Sequence, residues 1–211
     1  MPSAVQCHSR RVFATRIPLL ALVLAALCLS GQASAQSGAL TAPADLDLLT
    51  RSAATIIRGH VVSAVVEPHP QFSNLQTVVV TISVAKVLKG DAPNLFTFRQ
   101  FIWDARDVAT AGGYRKSSEF LLFLNPNSSY GLTSPVGLEQ GLFRVTRDAK
   151  GNAAAVNGRG NAGLFNRLQS KASSYGATLS PKAQNMLAKS SGPAQLDALE
   201  ETISTLVGAQ R

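Results

Sequence analysis

Thr77-Val78-Val79-Val80-Thr81-Ile82-Ser83-Val84 is the run from which the fold can be read. Val78, Val80, Ile82 and Val84 fall on one face, and Thr77, Val79, Thr81 and Ser83 on the other. A period of two marks a β-strand half-buried against a core. The run continues into Ala85-Lys86-Val87-Leu88-Lys89-Gly90, where the apolar positions slip to Val87 and Leu88. That slip predicts a bulge at Ala85-Lys86, and a bulge bends its strand. A bent, half-buried strand points to a strongly curved sheet.

Upstream, Ile57, Gly59 and Val61 alternate with Arg58, His60 and Val62, which reads as another strand. Glu67-Pro68-His69-Pro70 is expected to break it and form an irregular connection. Asp45 to Ala53 reads as a short helix capped by Asp45, with Leu46, Leu49 and Ala53 on one face. Downstream, Gly90-Asp91 is a turn and Leu95 to Phe101 a third strand. Residues 102–118 carry no period and include Gly112-Gly113, so they read as a long loop of the kind that often carries function. Phe120 to Leu124 is continuously apolar, as expected of a central strand buried on both faces. Tyr130 to Thr133 and Leu142 to Arg147 read as strands. Asp148 to Gly151 is a tight connection from which Ala153 to Val156 pairs back.

Beyond Gly160 the composition turns to Ser, Ala, Gly and Asn, and residues 170–180 read as a linker. Ser180-Pro181 is a helix start, with serine as cap and proline in the first helical position. A second helix is expected from Pro193, with Leu196, Leu199, Ile203, Leu206 and Val207 in one apolar stripe. The whole predicts a mainly β fold: a small OB-like closed or partly closed barrel of six to seven strands, with a short N-terminal helix and C-terminal helices. A β-sandwich is the structural alternative. The expected organisation is a signal peptide over 1–35, a flexible leader over 36–43, a barrel domain over 44–160, and linker and helices over 161–211.

The signal reading rests on Arg10, Arg11 and Arg16, the apolar run Ile17 to Leu29, and the small-residue site Ala33-Ser34-Ala35. It predicts a periplasmic or secreted protein beginning near Gln36, with no stable membrane insertion after cleavage. Removing the first 35 of 211 residues leaves 176 and takes away both cysteines, Cys7 and Cys28, and His8. No disulfide is then available, and stability must come from a packed core. Three of the twenty Lys and Arg also go, and the net charge falls from +8 to +5. The remaining basic residues are scattered, without the basic stripe and interleaved aromatics of a nucleic-acid site, so no nucleic-acid partner is expected.

The set Ile57-Arg58-Gly59-His60-Val61, Thr77 to Val84, Val87-Leu88-Lys89-Gly90, Arg99-Gln100, Glu119 to Leu124 and Val136 to Phe143 resembles a family of uncharacterised exported bacterial proteins. The resemblance covers roughly residues 44–165. It implies an OB-like barrel and a secreted location, and no known activity. The strand order also looks like the barrel of tissue inhibitors of metalloproteinases and netrin-like modules, at the level of fold alone. Those inhibitors present an N-terminal cysteine to the protease zinc. A chain starting near Gln36 has none, so that mechanism is not carried over.

Few residues mark a reaction. Ser83 and Lys86 have the Ser-x-x-Lys spacing, but on a regular strand they point to opposite faces. His60, Glu67 and His69 are the one set weighed for a metal, and each histidine reads as a surface residue. No metal or cofactor is expected. Arg99, Gln100, Trp103, Glu139 and Gln140 are the candidate binding residues, since Arg and Trp are enriched at binding hot spots. A structural role would instead pair Arg99 with a carboxylate such as Glu139 and lay Trp103 over one end of the barrel. The expected function is a non-enzymatic binding module that grips an exported or envelope protein or polymer through the 102–118 loop. One alternative is an envelope hydrolase or metal-dependent enzyme using His60, Asp104 or Asp107, and a serine. Another is a scaffold whose C-terminal helices form an interaction arm.

Overall fold

The computed structural model describes residues 41–210; the expected signal peptide and the leader up to residue 40 lie outside the described residues. One seven-stranded antiparallel sheet organises the chain, in the order β3-β2-β1-β4-β5-β6-β7. Its strands are β1 (Thr55–His69), β2 (Phe72–Lys89), β3 (Leu95–Phe101), β4 (Glu119–Leu124), β5 (Leu142–Arg147), β6 (Ala153–Asn157) and the two-residue β7 (Ala194–Gln195). Helix α1 (Leu46–Ser52) precedes the sheet and α2 (Ala105–Val108) lies in the long loop. Helices α3 (Leu168–Ser174), α4 (Pro181–Leu187) and α5 (Leu196–Ala209) follow β6. Strand pairing leaves β3 and β7 as the two edges, so the sheet is not closed by hydrogen bonds. Two isolated bridges, Arg99 to Leu132 and Leu124 to Pro135, tie the ends of β3 and β4 to the 132–135 segment.

The sheet serves two cores. Every residue of β4 is buried. Leu121 and Phe123 join Phe143, Val145 and the helices on one side, whereas Phe120, Leu122 and Leu124 join Ile57, Val78, Val80, Ile82 and Phe98 on the other. The α5 stripe is buried as expected, in the same core as β4 and β5. Helix caps follow the sequence: the Asp45 carboxylate accepts from the Leu48 N–H at 3.0 Å and the Ser180 hydroxyl from the Ala183 N–H at 3.2 Å. Among the described residues no helix is long and apolar enough to cross a membrane.

The expected bulge is present. Pairing steps from Arg58–Lys86 to Gly59–Val84, leaving Ala85 as the extra residue. Gly59 is needed there, because a Cβ on it would lie 2.3 Å from the Ser83 carbonyl oxygen.

The last helix starts at Leu196 rather than Pro193, after β7, and three further readings change. β1 is not broken at Glu67; it continues through Pro68 to His69 and turns at Pro70-Gln71 into β2. Beyond His60 the strand has β2 on one side and no longer pairs with β4, so a proline without an N–H costs no ladder bond there. Tyr130 to Thr133 is a loop rather than a strand. Gly131 sits at φ +70, and the Ser128 carbonyl and hydroxyl take the N–H groups of Gly131 and Leu132. Part of the expected 170–180 linker is α3, because Leu168 and Ala172, four apart, give it a buried face.

Gly59→Ala is expected to lower the melting temperature, because the obstructing atoms include backbone that cannot swing aside. Overpacking of this kind costs about 1–3 kcal/mol. Thermal unfolding of the variant checks it, and an unchanged midpoint would contradict the close approach of the two strands.

Candidate functional site

The end of β3 presents Arg99 and Gln100 on opposite sides, and Trp103 follows just beyond it. Arg99 faces β1 and β2: its Nη1 donates to Thr77 Oγ1 at 2.8 Å and its Nη2 to Glu67 Oε1 at 2.6 Å. The carboxylate partner is therefore Glu67, not Glu139. The cause is register: Arg99 lies opposite Val79 and Glu67 opposite Thr77, which makes Glu67 and Arg99 diagonal neighbours across β2. Gln100 turns the other way, and its Oε1 accepts the Tyr114 hydroxyl at 2.8 Å. Tyr114 is buried between Phe98 and Phe120, with ring centroids 5.8 and 5.6 Å away, and burial raises its phenol pKa. Gln100 thus anchors the long loop to the core.

Trp103 does not cover the end of the sheet. It is 64% exposed, with its ring edge-on to Phe101 at 4.8 Å. The two rings line a groove of about 360 Å³ together with Pro126, Tyr130 and Leu132. Tyr130 is 55% exposed, and the edge-on Phe72 beside it at 5.3 Å is 41% exposed. Phe101, Trp103, Tyr130 and Phe72 therefore make a strip of aromatic surface from β3 to the tip of the β1–β2 hairpin. His69, expected at the surface, is buried beneath this strip. It stacks on Phe72 at 5.2 Å, its Nε2 lies 3.0 Å from the Tyr130 carbonyl oxygen, and its Nδ1 accepts from the Gln71 N–H.

Glu139 and Gln140 belong to a different part of the molecule. Glu139 is exposed and lies 3.6 Å from Arg159. Gln140 is buried, and its amide holds the described part of the leader. Its Oε1 accepts from the Ala44 N–H at 2.8 Å, and its Nε2 donates to Thr41 Oγ1 and the Ala42 carbonyl. Among the described residues no hydrogen bond or ion pair joins these two to Arg99, Gln100 or Trp103.

A second polar centre lies where the sheet meets α5. Arg58 Nη1 donates to Glu119 Oε1 and its Nε to Glu200 Oε1, both at 2.6 Å. Arg147 also binds Glu119 at 2.8 Å, and Lys86 binds Glu200 at 2.8 Å. A cleft of about 340 Å³ beside them is lined by Arg58, Arg147, Asn152 and Glu200, among others. Burial opposes ionisation of Glu119, but hydrogen bonds from Arg58 and Arg147 outweigh it and hold the carboxyl below its usual range. Lys86 is thereby turned to Glu200, away from any partnership with Ser83. His60 is exposed, with its Nε2 3.7 Å from Glu119 Oε2, and it pairs in register with Glu119 on β4 and Ser83 on β2. Among the described residues no cluster of three or more His, Cys, Asp or Glu is arranged to hold a metal ion.

Sequence reasoning found Trp103 but missed its neighbours Tyr130 and Phe72. For Tyr130 the available signal was an aromatic ring set among Ser, Asn, Gly and Pro; Phe72 opens β2 at the hairpin tip, where one face of the strand is left to solvent. No protein-family model, curated protein or solved structure matches the chain.

Glu119→Gln is expected to destabilise the fold by about 3 kcal/mol at pH 7, since it leaves cationic partners facing a neutral amide in a buried site. The folded-state pKa of Glu119 is depressed. Its contribution is therefore complete above its ordinary value of 4.5 and lost as pH falls through the lowered folded value. Denaturant unfolding at pH 7 and in acid should show the parent losing more stability than the variant over that range.

Proposed function

We propose that this chain is an exported, non-enzymatic binding module on an OB-like, partly closed barrel, and that it grips an exported or envelope partner with the Trp103 groove. The observation that carries this reading is the exposure of Trp103 and Tyr130, which line one groove. Two large aromatic rings left in water beside an apolar floor are costly to a solitary domain and typical of a recognition surface. Location outside the cytoplasm rests on the basic n-region, apolar run and Ala33-Ser34-Ala35 site. The barrel reading is supported by the bulged β2 and by the bridges that link the ends of β3 and β4 through residues 132–135. Gln100 and Arg99 act beneath the surface: one anchors the loop, the other locks β3 to the hairpin.

A hydrolase is the second reading, favoured by one observation: Glu119, His60 and Ser83 stand side by side on three neighbouring strands. Against it, Glu119 is already bound by two guanidinium groups, and no hydrogen bond links His60 to Ser83 among the described residues. The carboxylate beside His60 is Glu119 rather than Asp104 or Asp107. Asp104 is held at about 2 by hydrogen bonds from the Arg106 side chain and backbone, which makes it a poor base. Loss of any ester hydrolysis on Ser83→Ala would support this second reading.

Trp103→Ala is expected to leave stability within about 0.5 kcal/mol of the parent, as befits an exposed side chain. The same change should weaken partner capture from envelope and secreted fractions by tenfold or more, on the order of 1.4 kcal/mol. Pull-down with the chain from residue 36 and a parallel thermal melt check both. A large drop in melting temperature with capture intact would make Trp103 structural.

A further inference from the structure

The composition of the aromatic groove selects among ligands. Resting on the reading of this groove as the binding site, we propose that it takes a neutral oligosaccharide chain whose sugar faces stack on Trp103 and Tyr130.

The rings come first. An aromatic face carries partial negative charge. The C–H groups on one face of a pyranose carry partial positive charge and form a flat apolar surface, so the two stack. Trp103 and Tyr130 leave ring surface in water for this contact, and Phe72 continues the strip beyond Tyr130. A strip of several rings fits a chain of sugars better than a single one. The groove volume of about 360 Å³ lies within the range of small-ligand sites.

Charge is the second argument. The chain as a whole is basic, at +8, yet no residue lining this groove carries a charge. Arg99, on the same strand, is already bound to Glu67 and Thr77. An anionic polymer would find no free cation in the groove to neutralise it, and an anion-binding role belongs elsewhere on the surface.

Hydrogen bonding is the third. Ser128 Oγ accepts from the Leu132 N–H at 3.1 Å, and its own O–H has no acceptor among the described residues. Asn125 uses its amide N–H on Ser134, at 3.0 Å to the carbonyl oxygen, and its Oδ1 is left open. The Trp103 indole N–H and the Tyr130 hydroxyl are also without partners among the described residues. The rim therefore offers neutral donors and acceptors beside aromatic faces, the complement of a sugar with hydroxyls at its edge and C–H groups on its face. An acyl chain would bury these polar atoms without pairing them, which costs about 1–3 kcal/mol each.

Trp103 is the single tryptophan of the chain, so tryptophan fluorescence reports on this groove alone. The test titrates the protein with hexasaccharides of β-1,4-glucose, α-1,4-glucose and N-acetylglucosamine, and separately with the neutral apolar probe N-phenyl-1-naphthylamine. A saturable change in Trp103 emission with at least one glycan is expected. Tyr130→Ala should weaken that binding tenfold or more without moving the melting temperature. By calorimetry, Trp103→Phe, which keeps a ring, should bind more tightly than Trp103→Ala. A response to the apolar probe but to no glycan would overturn the sugar assignment and leave the groove as a binding site. Silence to both would overturn the sugar assignment, partner capture unaffected by Trp103→Ala would overturn the groove as well, and glycan binding unaffected by Trp103→Ala and Tyr130→Ala would place the sugar elsewhere.

Discussion

β4 has no face to turn toward water, and that constraint shapes the rest of the molecule. Glu119 to Leu124 is buried throughout, so the strand requires a neighbour on each edge and a packed layer on each side. β1 and β5 supply the edges. The helices supply one layer, through Phe123 and Leu121, and the curled β1–β2–β3 portion supplies the other, through Phe120 and Leu122. The curl depends in turn on the bulge at Ala85 and on the missing side chain of Gly59. Tyr114 completes that second core from the long loop, and this fixes where the loop begins and ends. The loop that begins with the exposed Trp103 is fastened to the core by Ile102 just before it and by Tyr114 farther along.

Charge is handled by the same architecture. Glu119 sits at the start of β4 and Glu200 on α5, both largely removed from water, and Arg58 on β1 reaches both. One guanidinium with a rigid fork suits this geometry in a way that a lysine ammonium does not. The pairing fixes α5 over one particular portion of the sheet, which nonspecific apolar contact would leave less determined. The closest contacts of Glu119 are with Arg58 and Arg147, at 2.6 and 2.8 Å, and His60 lies farther off at 3.7 Å. One member of a row that looks like a catalytic set in register, Glu119, is thus also a member of this ion-pair network.

Much of the fold was legible because its signals are local. The alternation in Thr77 to Val84, the unbroken apolar run Phe120 to Leu124, the Ser180-Pro181 start and the stripe from Leu196 to Val207 each concern residues within one element. What could not be read depends on register or on distant partners. Pro68 looks like a terminator in sequence, yet it lies where the strand has only one paired neighbour. Arg99 found Glu67 rather than Glu139 because the choice depends on how β1, β2 and β3 are aligned. Arg58 and Glu200 are 142 positions apart, and no spacing rule joins them. Of the groove, Trp103 stood out by its rarity, whereas Tyr130 and Phe72 meet only because a loop and a hairpin tip converge. Gln140 was singled out for binding and does bind, but its ligand is the chain's own segment from Thr41 to Ala44.

The β1–β2 hairpin carries a liability for self-association. Beyond Val61, β4 no longer pairs with that edge of β1, and the edge runs on through Val62-Ser63-Ala64-Val65-Val66 without a charge. An uncharged strand edge rich in β-branched residues is a template on which another extended chain can assemble. Glu67 and Pro68 stand at its far end, Glu67 with its carboxylate held by Arg99 and Pro68 without an N–H to offer. The proline that sequence reasoning took for a punctuation mark therefore shortens the stretch of open edge that a second extended chain could follow.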